Sequence, residues 1–288
     1  MNKIANLLMV LLVLPSILGC SNNTDSNEPL NQKNVSQSEN SMAQKLDVND
    51  GVDNNSSHYS FDSSMYYAAA SHPTIDKTVN KVIWKEGEAA VTAAISKAEG
   101  EQASESNTVI RSITVASSNG NHTIELGKKP LGIHSMSLSS NNQLAVHVRD
   151  HEGSRLIILN LLSGKQIVLN DIRNKGISSE KIDSYNWSPD GNTIAFGIGD
   201  IGSSYIAVYN TKDNRYSELS KNDYRLITSI VWHKDGQGFD FLSMPDDAEN
   251  PEVLYRYSLK DELIRKVTDN LTETEQASLT KYLPQKIE

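Results

Sequence analysis

A repeat sets the limits on how this chain can fold. "YNWSPDGNTIAFGI" begins at Tyr185, "IVWHKDGQGFDFLS" at Ile230 and "VIWKEGEAAVTAAI" at Val82; a looser copy, "MSLSSNNQLAVHVR", begins at Met136. Each holds an apolar strand ending in a large residue, a polar turn, and a second apolar strand. The large residues are Trp84, Leu138, Trp187 and Trp232, spaced 54, 49 and 45 residues apart. Each copy continues with a third strand ("NTVIRSITVAS", "SRLIILNLLSG", "SYIAVYNTKDN", "EVLYRYSLKDE") and a short fourth ("HTIEL", "KQIVLN", "RYSEL", "LIRKVT"). These runs are rich in β-branched and aromatic residues and are bounded by Gly, Asn, Asp and Ser. A unit of 45–50 residues with four strands cannot bury both faces of its own sheet, so copies must stack on one another.

The turns have local reasons. Pro189 presets φ at the first turn position, Asp190 bonds back to the chain, and Gly191 accepts positive φ; Asp235 and Gly236 repeat the pattern. The Trp side chains fill space between neighbouring sheets. The stretch "WSPDGNTIAF" resembles the repeat of TolB-type β-propellers, relatives of the WD-repeat class. The resemblance spans residues 79–268. It implies an all-β propeller of four recognisable four-stranded blades, and it implies no catalytic group, because the shared residues are turn and core residues. Four blades leave three arrangements open: a compact ring, a ring with a blade too degenerate to see, or an open arc completed by a partner or a second copy. Residues 58–78 are either a fragment of a further blade or a short capping helix. Residues 269–288 form a C-terminal tail, in which Thr272 and Glu275 have capping-box spacing and predict a helix over 272–283.

Gly197, Gly199 and Gly202 spell G-x-G-x-x-G. A pyrophosphate loop needs a helix after the glycines. Here the glycines lead into "SSYIAVYN", a strand pattern. They are therefore expected in the loop between the second and third strands of a blade, and no nucleotide cofactor is expected.

The first residues, "MNKIANLLMVLLVLPSILGC", hold a short apolar run broken by Pro15, short of the ~20 residues of a membrane span. Residues 1–19 are read as an export signal. "Ile-Leu-Gly-Cys" resembles a bacterial lipobox, which implies cleavage before Cys20 and its acylation. Cys20 is the only cysteine of the chain, so the exported domain has neither a disulfide nor a Cys-based metal site. Two or more acyl chains give stable anchoring. Serine after the cysteine points to the outer membrane, facing the periplasm, if the organism is Gram-negative. Residues 20–57, nearly all Asn, Ser, Asp, Gln and Glu, are read as a tether that cannot bury enough apolar surface to order itself.

Loss of Lys3 with the signal leaves 26 basic against 36 acidic residues. An acidic domain with no dense basic run is not a nucleic-acid binder. The chain has no G-x-S-x-G and no H-E-x-x-H. His147 and His151 stand four apart, but in strand and loop rather than on a helix face, so no metal centre is expected. Asp246, Asp247 and Glu249 concentrate in one loop with the donors for a hard cation, the usual state of such a loop being solvated. No cofactor is expected.

Propellers meet ligands on the face made by the loops between strands two and three and between blades. There the chain offers Arg149, Asp150, His151, Asp200, Ser203, Asp223, Arg225, Asp246 and Asp247. No catalytic residues are assigned. The expected function is a lipid-anchored envelope module that docks a protein or peptide. The alternative is an envelope hydrolase or lyase using loop carboxylates on a glycan or peptide.

Overall fold

A computed structural model describes residues 61–69, 72–98, 108–151, 153–173, 180–200, 202–219, 224–245 and 250–287. The expected signal, Cys20 and the tether lie outside these residues, as do Asp223, Asp246 and Asp247.

Each repeat folds into one antiparallel sheet with its strands in sequence order. Sheet 1 contains β1 (Thr74–Lys77), β2 (Lys81–Glu86), β3 (Ala89–Lys97), β4 (Thr108–Ser117) and β5 (Gly120–Ile124). Sheet 2 contains β6 (Gly132–Leu138), β7 (Gln143–Arg149), β8 (Ser154–Asn160) and β9 (Gln166–Val168), followed by helix α1 (Leu169–Arg173). Sheet 3 contains β10 (Lys181–Trp187), β11 (Thr193–Asp200), β12 (Ser203–Asn210) and β13 (Arg215–Glu218). Sheet 4 contains β14 (Ile227–Trp232), β15 (Gly238–Ser243), β16 (Val253–Ser258) and β17 (Leu263–Thr268). Helix α2 (Glu273–Leu279) comes next, then β18 (Gln285–Lys286), which returns to pair with β6. The molecule is therefore all-β, with the blade architecture of a propeller. Sheets 1 and 2 gain a fifth strand each, from β1 and β18.

Alternation along the second strands decides what packs on what. In β7, Leu144, Val146 and Val148 join Trp84, Val91 and Ile113 of sheet 1, while Ala145 faces Trp187, Ile194 and Phe196 of sheet 3. In β11, Ala195 faces Trp232, Phe239 and Phe241 of sheet 4. The three Trp residues are all buried. A fourth cluster covers the outer side of sheet 4, where Leu242 and Leu254 meet Tyr66, Leu271 and Leu279. Among the described residues no apolar cluster joins sheet 4 to sheet 1.

The turn chemistry is as the residues dictate. Gly191 has φ +67 and its N–H reaches the Ser188 carbonyl at 2.9 Å, while Asp190 takes bonds from the Ser188 hydroxyl and the Asn192 N–H. A Cβ at Gly191 would stand 2.7 Å from the Asn141 nitrogen, so the turns of sheets 2 and 3 pack directly on one another.

Three local expectations need correction. Gly197 and Gly199 lie inside β11, not in the loop, and only Gly202 is in the turn, with φ +89. Close approach explains the first two: a Cβ at Gly197 would be 2.7 Å from the Ile227 Cβ, and one at Gly199 would be 2.1 Å from the Ser203 carbonyl oxygen. The fourth strand of the second repeat stops at Val168, and Asn170 instead lies in the helical turn that Leu169 begins. There its buried side chain accepts from the Leu156 N–H and donates to the Ser154 and Glu180 carbonyls. The terminal helix ends at Leu279 rather than Leu283. A 3-10 turn over Thr280–Tyr282 comes after it, and Pro284 holds Leu283 extended at φ −92, ψ 156. The capping box of Thr272 and Glu275 is formed in both directions.

Candidate functional site

The first strand of each of sheets 2, 3 and 4 is interrupted by a bulge. The register shifts between Ile133 and Ser135 in β6, between Ile182 and Tyr185 in β10, and between Ile227 and Ser229 in β14. A bulge re-aims the side chains it carries. The displaced residues are His134, Asp183 with Ser184, and Thr228, and all four line one cavity of about 360 Å³. Ser135, His147, Ile182, Tyr185, Leu283, Pro284 and Lys286 complete it. Leu283 and Pro284 also line a second cavity of about 340 Å³ on the turn side, with Glu86, Trp187 and Tyr282. The C-terminal segment thus partitions the space between the sheets. It is tied down by the Asn186 amide, which donates to the Tyr282 carbonyl at 2.8 Å, and by the Ile287 N–H, which donates to the His134 carbonyl at 2.8 Å.

The bulge cavity combines neutral hydrogen-bonding groups with one carboxylate, Asp183, and one ammonium, Lys286. His147 is buried, and its Nε2 lies 3.1 Å from the Ile182 carbonyl. A carbonyl only accepts, so Nε2 carries the proton and Nδ1 is an acceptor. Burial, reinforced by the neighbouring His134 ring with centroids 4.9 Å apart, pushes the His147 pKa down to about 3. Burial likewise raises Asp183, against the opposing pull of the Ser204 hydroxyl and the Ile227 N–H on its carboxylate. The Tyr185 hydroxyl accepts from Ser135 and Ser137 at 3.4 and 3.3 Å, and burial lifts it to about 12. Two buried oxygens in the cavity wall, Ser184 Oγ and Thr228 Oγ1, have no hydrogen-bond partner among the described residues.

The described residues among those expected from sequence lie at the same end of the strands, but none of them lines this cavity. Arg149 pairs across from Gly132 and lines a separate cleft with Lys77 and Ile287. Asp150 is held by Arg155, whose guanidinium also reaches the Leu126 and Lys128 carbonyls. His151 and Asp200 are exposed, Ser203 opens β12 opposite Asp200, and Arg225 donates to the Pro245 carbonyl at 3.1 Å. Aligning the repeat forward from the Trp misses the cavity residues, which lie on its other side. Aligned backward, the copies share I-x-S-x-x-[L/W]: "IHSMSL" from Ile133, "IDSYNW" from Ile182 and "ITSIVW" from Ile227. The variable second position is the bulge.

Each of the two cavities holds one carboxylate, Asp183 or Glu86. Paired-carboxylate hydrolysis sets two of them about 5–9.5 Å apart across a cleft. Among the described residues no three His, Cys, Asp or Glu side chains converge to hold a metal ion. A second buried polar cluster is structural: Asp240, fully buried in β15, accepts from Tyr66 at 2.7 Å, His233 at 2.9 Å and twice from Arg256 at 2.8 and 2.9 Å. Burial works to raise its pKa, but the Arg256 and His233 hydrogen bonds win and hold it below the ordinary value.

No family model matches the chain, and no curated protein does. The solved structures similar to it include TolB and other β-propeller proteins. TolB from Acinetobacter baumannii aligns at 14% identity and a TM-score of 0.38, over 68% of this chain and 56% of that one. An oligogalacturonate lyase in complex with manganese aligns at 10% identity and 0.42, over 72% and 65%. A nidogen–laminin complex aligns at 11% and 0.37, over 67% and 63%. The chain therefore spans little more than half the length of the TolB structure. Its propeller architecture rests on the four sheets themselves.

Proposed function

We propose that this chain is a lipid-anchored binding module of the cell envelope that docks a protein or peptide partner. The observation that supports docking is the side of sheet 1 against which no described apolar cluster packs. Sheets 2 and 3 are packed between neighbours, and sheet 4 is covered by the segments that hold Tyr66, Leu271 and Leu279. In sheet 1, Val82, Trp84, Val91, Ala93, Ile113 and Val115 are buried, while the alternate residues are half-buried or exposed. Cross-strand register lines these up in rows: Ile83–Thr92–Thr114, Lys85–Ala90–Ala116 and Lys81–Ala94–Ser112. The result is a surface of mostly small side chains that carries Lys81 and Lys85 in β2, with β1 beyond them placing Asp76 across from Ile83. It suits a partner with acidic groups placed opposite Lys81 and Lys85.

The anchor half of the reading rests on Cys20 following an apolar run. On this reading the domain sits at the outer membrane, facing the periplasm, if the organism is Gram-negative. Two measurements test the whole. Cys20→Ser is expected to move the protein from the membrane fraction to the soluble fraction; retention in the membrane would refute the anchor. A photo-cross-linking residue at Thr114 in living cells is expected to give one discrete adduct with a second envelope protein. Adducts with the chain itself alone, or none, would refute the docking surface.

A further inference from the structure

Three repeats place a bulge at the same position of their first strand and point the displaced residues into one cavity. The flanking residues recur: Ile133, Ile182 and Ile227 before the bulge position, Ser135, Ser184 and Ser229 after it. The bulge residue itself differs each time, as His134, Asp183 and Thr228. A scaffold held constant with chemistry varied at the tip is how a binding site is built on a repeat.

Two of the wall oxygens, Ser184 Oγ and Thr228 Oγ1, are buried without a partner among the described residues. A buried hydroxyl left unpaired weakens a fold, so each such group calls for an explanation beyond stability. The remaining groups narrow the ligand. Hydroxyls of Ser135, Ser184, Tyr185 and Thr228 both donate and accept; His147 Nδ1 and the Asp183 carboxylate accept. Asp183 opposes an anion, and Lys286 opposes a cation. The apolar walls are only Ile182, Leu283 and Pro284, too few for an apolar ligand. An extended peptide would add to the outer edge of β6, which β18 already occupies.

We propose that the bulge-lined cavity is a saccharide site, taking one or two neutral sugar units whose hydroxyls pair with Ser184, Thr228, Asp183 and His147. At about 360 Å³ it lies in the range of small-molecule pockets. The site is separate from the proposed docking side of sheet 1, so the two proposals stand or fall independently.

The test uses the full-length protein in a detergent without a sugar headgroup. Saturation-transfer NMR and calorimetry are run with glucose, galactose, N-acetylglucosamine and their β-1,4-linked disaccharides. At least one is expected to bind saturably in the millimolar range or tighter. Ser184→Ala and Thr228→Val should each weaken it about tenfold. Without sugar, the same variants should melt at the wild-type temperature or ~2–4 °C above it, because an unpaired buried hydroxyl has been removed. Three results would overturn the proposal: no sugar of the panel binds, binding is unchanged in both variants, or both unliganded variants melt several degrees lower, which would show the hydroxyls already bonded within the fold.

Discussion

Sheets 1 and 4 are folded from copies of one repeat and end in opposite situations. Thr92 and Asp240 hold the same place, eight residues after Trp84 and Trp232 and paired across from Ile83 and Val231. In sheet 1 that position is half-buried, and no apolar cluster of the described residues packs over it. In sheet 4 it lies under Tyr66 and the Ser63–Met65 turn, and Asp240 is fully buried. The equivalent residues of sheets 2 and 3, Ala145 and Ala195, meet the next sheet and are small. Blade position, not blade sequence, therefore decides how large and how polar this residue can be. The carboxylate is tolerated because Tyr66, His233 and Arg256 satisfy it, and in return it ties the N-terminal segment to the last sheet.

The largest expected effect is at that tie. Asp240→Ala strands Arg256 and His233 and should cost about 3 kcal/mol, the low end for breaking a buried pair, because the Arg256 side chain is 38% exposed. Urea unfolding measures it; a loss under about 1 kcal/mol would mean the cover of sheet 4 is held by apolar contact alone.

Acid should act next, on the strands covered from both sides. The folded pKa of His147 is pushed down to about 3 from an unfolded value near 6.5. Between these values the unfolded chain binds the extra proton. Stability is therefore full above pH 6.5 and is lost as pH falls towards 3, by at most ~1.4 kcal/mol per unit. Asp183, raised in the fold, offsets part of this loss. His147→Gln should flatten the profile of urea midpoint against pH from 7 to 5; an unchanged slope would place the responsible group elsewhere.

Thr272→Ala removes the side-chain half of the capping box, the bond its hydroxyl accepts from the Glu275 N–H, and should cost about 1 kcal/mol. Since α2 carries Leu279 onto sheet 4, proteolysis of residues 269–287 should quicken with it. At the bottom of the scale, Thr92→Ala in sheet 1 should stay within about 0.5 kcal/mol. Together, the values for positions 92 and 240 test whether equivalent repeat positions differ only through what covers them.

Much of the fold was legible because its signals are local. The alternation, the Pro-Asp-Gly turn, the Trp spacing and the Thr272–Glu275 box each act within a few residues, where backbone geometry leaves few choices. Helix α1 and the in-strand glycines were not legible. Asn170 is helical in order to satisfy backbone groups from β8 and from Glu180, and Gly197 is small in order to admit Ile227 from another sheet. The bulge residues fall between these cases. Their I-x-S-x-x-[L/W] frame is printed three times in the chain, yet no spacing says that three separate strands aim their bulges at one point.

The unit is written in the residues alone: four antiparallel strands, their turns and the large residue each one buries. Assembly in three dimensions was needed to make β18 cross back to β6, to cover the outer side of sheet 4, and to bring His134, Asp183, Ser184 and Thr228 to one cavity. The physical reason is range. A strand's period follows from its own dihedral angles, whereas the partner of each sheet face is set by packing between segments far apart in the chain (Gln285 pairs with Met136, and Tyr66 bonds to Asp240 174 residues away), where no local preference reaches.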